Sequence, residues 1–110
     1  MVRPKKRHEL KCWPEFFEPA LRATKRFELR RDDRPEGFQV GDELLLREWE
    51  PIEGNRNPPF SDNAYTGREV LVRVDYVMPV ETVNFLLGIW KILGNTPGFV
   101  IMSVSLVYVG

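Results

Sequence analysis

The stretch REVLVRVDYV, residues 68–77, decides how the rest of the chain is read. Val70, Val72, Val74 and Tyr76 alternate with Glu69, Arg73 and Asp75; Leu71 breaks the pattern. A period of two predicts a strand with one buried face. Working outward, ELLLREWE at 43–50 reads as a second strand, entered through a turn at Gly41-Asp42. FVIMSVSLVYV at 99–109 is a long apolar strand, and HELKC at 8–12 places His8, Leu10 and Cys12 on one face. RFELRR at 26–31 is also a strand: Phe27 and Leu29 are expected to face the core, with Arg26, Glu28 and Arg30 on the other side. Lys25 has the wrong parity for that set and must reach over from the preceding turn.

Two segments carry helical spacing. Pro14 suits a first helical position, and Phe17, Ala20 and Leu21 follow it at three- and four-residue intervals. Pro19 inside a helix costs about 3 kcal/mol, so the expectation is two short turns, the second opened by Pro19 and ending near Ala23. Residues 80–94 read as a second helix between a Thr82 N-cap and a Gly94-Asn95 stop. Residues 51–67 form a long proline-bearing loop. The expected architecture is α+β: a small, mostly antiparallel β-barrel with two flanking helices. Residues 1–7 are read as a basic tail and 8–110 as a single domain.

Composition narrows the function. The 110 residues are 43% hydrophobic and 29% charged, ordinary for a soluble globular domain. Sixteen basic residues balance 16 acidic ones, so a diffuse electrostatic coat for nucleic acid is excluded and any such role needs a local patch. Basic residues do cluster, at Arg3–Lys11 and Lys25–Arg34. Cys12 is the single cysteine, which rules out an internal disulfide and reads as a small buried residue. There is no signal-peptide core, and the apolar run at 83–93 is shorter than the roughly 20 residues a bilayer requires. A cytoplasmic protein that does not enter the membrane is expected.

The chemical motifs are few. One His and one Cys four residues apart make no zinc site, and there is no phosphate-binding glycine loop or nucleophile elbow. No metal, cofactor or catalytic residue is assigned; a lone His8 is read as a strand residue. That leaves Lys25, Glu28 and Arg30. One reading makes them a solvated strand face, with cross-strand ion pairs to Arg73 or Arg47. The other makes them a pocket.

Residues 23–30, ATKRFELR, resemble the ASCH signature GxKxxExR of the PUA-like superfamily of small β-barrels. The flanking HELKCWPEFFE, FQVGDELLLREWE and YTGREVLVRVDYV resemble a domain-of-unknown-function subgroup of that superfamily, found in short bacterial and phage proteins. The signature's glycine is Ala23 here. The resemblance implies that Lys25, Glu28 and Arg30 line a cleft between the first helix and the barrel. Two cations around a carboxylate, with Trp13 and Trp49 as stacking platforms and Lys11 and Arg34 nearby, then make an RNA- or nucleotide-binding module. Asp33 and Arg34, in the loop after the motif, are expected to cap the site. Some ASCH-like proteins are similar to small amidases that remove an acyl group from a modified cytidine; these carry a threonine where this chain has Glu28, which argues against an enzyme. A third reading is dimerisation or partner binding through Phe85 and Trp90 on the 83–93 helix.

Overall fold

A computed structural model describes residues 4–31, 34, 36–50, 64–79, 82, 83, 85 and 99–109. Its elements, in chain order, are β1 (Arg7–Cys12), α1 (Pro14–Leu21), β2 (Phe27–Arg31), β3 (Glu43–Trp49), β4 (Tyr65–Val77) and β5 (Phe99–Val109). The strands form one sheet in the order β1-β3-β4-β5-β2. β1 runs parallel to β3, and every other pairing is antiparallel.

β1 and β2 are the two edges of this sheet, yet Nη1 of Arg30 on β2 donates to the Lys11 carbonyl on β1 at 2.9 Å. The sheet is therefore curled into a half-barrel whose edges approach across a seam. Its concave face collects Leu10 and Cys12, Leu44 and Leu46, Val70, Val72 and Val74, and Val100, Met102 and Val104, with Phe17 and Ala20 of α1 packed against them. The period-two pattern that predicted these strands is the pattern of that core.

Several expectations are corrected. α1 is one eight-residue helix with Pro19 inside it, not two turns divided at Pro19. β4 begins at Tyr65, so the end of the expected 51–67 loop is strand, while 51–63 lies outside the described residues. Register shifts along β4, one of them between Val74 and Tyr76, turn Tyr76 outward, where it is 55% exposed. Of the expected 80–94 helix only Thr82, Val83 and Phe85 are described; the amides of Thr82 and Val83 donate to the Pro79 carbonyl.

Among the described residues, Lys5, Lys6 and Arg7 are tied down. Lys5 Nζ donates to the Val40 carbonyl at 3.0 Å, Lys6 pairs with Glu36, and Arg7 pairs with Glu43 at 3.0 Å. The anchor is Asp42, which is fully buried. It accepts the amides of Lys6 and Gln39, each at 3.1 Å, and its Oδ2 lies 2.9 Å from His8 Nε2. His8 thus serves a buried polar network beside the Phe38 ring, with centroids 4.7 Å apart. The turn that delivers Asp42 needs Gly41 at φ +92°, a conformation that residues with a Cβ resist.

Candidate functional site

The site begins at the end of α1. The Ala23 amide donates to the Ala20 carbonyl at 3.1 Å, and the Thr24 amide to the Pro19 carbonyl at 3.0 Å. This pair of bonds is the Schellman closure, which requires a left-handed residue at its apex. That residue is Ala23, at φ 57°. The Pro19 carbonyl also accepts the Lys25 amide at 3.1 Å, so the turn aims the Lys25 side chain at the following strand. Lys25 Nζ pairs with Glu28 Oε1, and Arg30 Nε donates to Glu28 Oε2 at 3.0 Å.

The faces of β2 are the reverse of those expected. Glu28 stands opposite Met102 and Arg30 opposite Val100, both core residues of β5, and directly opposed residues share a face. Glu28 is 2% exposed, whereas Phe27 and Leu29 are 56% and 51% exposed. A carboxylate can occupy the inner face here because two cations contact it, one on each oxygen. The alternative ion pairs do not form: Arg47 reaches Glu9 at 3.8 Å and lies over the Tyr65 ring, and Arg73 pairs with Asp75 at 3.5 Å.

The trio forms the floor of a cavity of about 530 Å³. Of the site residues expected from sequence, Lys11, Trp13, Lys25, Glu28, Arg30 and Trp49 all line it. Trp49 is buried with Lys11 Nζ 5.0 Å from its ring centroid. Trp13 stacks on Phe16, centroids 6.2 Å apart, and both rings are substantially exposed at the mouth. Arg34 does not line the cavity; its Nη2 donates to the Glu9 carbonyl at 3.1 Å, further along β1. Asp33 lies outside the described residues, as does Trp90; Phe85 is 83% exposed.

Sequence reasoning missed four lining residues: Cys12, Phe16, Phe27 and Leu29. Phe27 and Leu29 were assigned to the core by alternation alone. The Cys12 thiol is pushed up to about 11, first by burial and then by the Glu28 carboxylate, so at neutral pH it holds its proton. Glu48 was also missed. Its register partner on β1 is Cys12, it is buried, and it accepts the Thr66 hydroxyl at 2.8 Å. Arg68 approaches Glu48 at 3.7 Å, and its bond to Glu18 raises the guanidinium pKa further. No sequence signal marks Glu48, because it looks like any charged residue near a strand end.

Among the described residues, no cluster of His, Cys, Asp and Glu is placed to hold a metal ion, and no helix is long and apolar enough to cross a membrane. A 12.9 kDa uncharacterized protein in the GpA 3′ region of Escherichia phage P2 is 35% identical over 67 residues. That match covers 61% of this chain, and the chain spans about half the length of that relative. Residues 7–94, which hold all five of the strand and helix elements from β1 to β4 and the whole cavity lining, match one family throughout. The chain belongs to DUF3850, a domain family of unknown function.

Proposed function

We propose that this chain is an RNA- or nucleotide-binding module whose cavity takes a nucleobase. The observation that carries the reading is a buried carboxylate held between two cations at the floor of an aromatic-walled cavity. A pocket that only completed the core would be lined with apolar groups. This one sets hydrogen-bonding groups where a flat polar heterocycle would end, and exposed rings where it would stack. Each stacked base is worth about 1–3 kcal/mol. Arg22, Arg26 and Arg31 are exposed around the same segment and supply positive charge for a backbone outside the cavity. The resemblance of residues 23–30 to the ASCH signature, and with it a PUA-like kinship, supports the same reading.

A hydrolytic role is less well supported. The amidases of that resemblance carry a threonine where Glu28 stands, and the Cys12 thiol beside the cavity stays protonated. Tryptophan fluorescence titrated with mixed-sequence single-stranded RNA and with nucleoside monophosphates tests the binding reading. Quenching that saturates, and a 5- to 100-fold weaker affinity in Trp13→Ala at unchanged melting temperature, is the expected result. Absence of binding by every ligand in the series refutes it. Incubation with acetylated cytidine and assay for released acetate separates the hydrolytic alternative.

A further inference from the structure

We infer that the cavity selects a base with an imide edge, namely uracil or thymine; this rests on the binding reading above and names the class of ligand within it. The floor presents hydrogen-bonding groups in the order donor, acceptor, donor. Lys25 Nζ stands on one side of the Glu28 carboxylate and the Arg30 guanidinium on the other. Arg30 uses Nε for Glu28 and Nη1 for the Lys11 carbonyl. Among the described residues its Nη2 has no protein acceptor, and Lys25 uses one of its three N–H groups on Glu28. Each Glu28 oxygen accepts one of these bonds and keeps a further lone-pair direction.

The complement of donor–acceptor–donor is acceptor–donor–acceptor. Uracil and thymine present that order through O2, N3–H and O4. Cytosine presents a donor and two acceptors, adenine a donor beside an acceptor, and guanine one acceptor beside two donors. Each of these sets a like group against the trio in at least one place, and a buried polar group left without its partner is strongly disfavoured. A phosphate is a worse occupant of the floor than a neutral imide. It would meet the Glu28 carboxylate between its two cations, and like charges in a buried site repel. The exposed rings of Trp13, Phe16 and Phe27, all of which line the cavity, suit a flat ring entering edge first.

The experiment uses the unaltered protein and varies the ligand. Affinities are measured for eight-nucleotide oligo(U), oligo(dT), oligo(C) and oligo(A), and for oligo(U) bearing N3-methyluridine. Oligo(U) and oligo(dT) are expected to bind at least tenfold tighter than oligo(C) and oligo(A), and N3-methylation to remove at least tenfold of the uridine affinity. Equal affinity across the bases, or indifference to the methyl group, overturns the imide assignment while leaving nucleotide binding intact. Failure of all the oligomers overturns both. In a second arm, Lys25→Met is expected to lose the preference for oligo(U) over oligo(C) while its circular dichroism spectrum is unchanged. A retained preference in a folded variant counts against the proposed array.

Discussion

Removing Glu28 alone, the carboxylate between two cations, should be far worse than removing all three members of the buried trio. The side chains of Glu28, Lys25 and Arg30 are 3%, 13% and 24% exposed. In Glu28→Ala the two cations remain in place with their counter-charge gone, and breaking a buried pair in this way costs about 3–5 kcal/mol. For a domain whose total stability is on the order of 5–15 kcal/mol, that is a large fraction. At about 4 °C or more per kcal/mol, the melting temperature should fall by roughly 15 °C. The triple variant Lys25→Met, Glu28→Leu, Arg30→Met strands no charge, and comparable replacements elsewhere are neutral or stabilising by about 1–4 kcal/mol. It also loses the Arg30 bond to the Lys11 carbonyl, worth about 1 kcal/mol, which trims any gain. The expected order of melting temperatures, by calorimetry at pH 7, is therefore triple variant equal to or above wild type, with Glu28→Ala well below. Both variants should lose ligand binding. A triple variant as unstable as Glu28→Ala would refute the reasoning, because the trio would then be holding the fold together and not serving a ligand.

Three further outcomes are expected. Ala23→Gly relieves a left-handed alanine, a strain of about 1–2 kcal/mol offset by roughly 0.5–1 kcal/mol of added chain entropy, so the melting temperature should rise by a few degrees with ligand affinity unchanged. Because the Cys12 thiol is raised from 9.0 to about 11, the folded state holds a proton that the unfolded chain releases. Its stabilising contribution is complete below pH 9 and is lost as pH rises from 9 to 11; Cys12→Ala should show a shallower alkaline decline in denaturant titrations, and Cys12 should resist alkylation at pH 8. Asp42→Ala removes the acceptor of two amides and leaves His8 Nε2 without its partner, which should destabilise the fold by roughly 2–4 kcal/mol in urea titrations without changing the affinity of the protein that remains folded.

Burial on one face writes a period of two into the sequence, and β1 was legible from it alone, with His8, Leu10 and Cys12 inward; 99–109 stood out instead as a long apolar run. The same rule failed on β2. It assumes that charges seek water, and Phe27 and Leu29 were placed inward on that assumption. What reversed the faces is local charge compensation: Lys25 and Arg30 converge on Glu28, which alternation does not register. Lys25 was out of step for a strand because the turn at 20–25, not strand parity, directs it. The departure at Ala23 flagged that turn in advance. Pro19 was read as a break, yet the helix runs through it, and its carbonyl takes three bonds from Thr24 and Lys25 that close the helix end. The charged cavity residues Lys25, Glu28 and Arg30 were singled out by motif; the aromatic lining around them was not, since Phe16 and Phe27 are indistinguishable from core residues until the sheet curls.

The seam has a consequence for how the molecule guards its borders. Because the Lys6 carbonyl bonds the Glu43 amide on β3, the alternate carbonyls of Glu9 and Lys11 point away from the sheet, toward the open side of β1. Such a row is a template onto which another chain can add. Here a guanidinium occupies each of the two: Arg34 at Glu9 and Arg30 at Lys11. Two side chains thus stand in for a sixth strand, and an intruding backbone would have to evict both. One of the two, Arg30, also floors the cavity, so the same side chain shapes the hollow and keeps the sheet's margin closed to strangers.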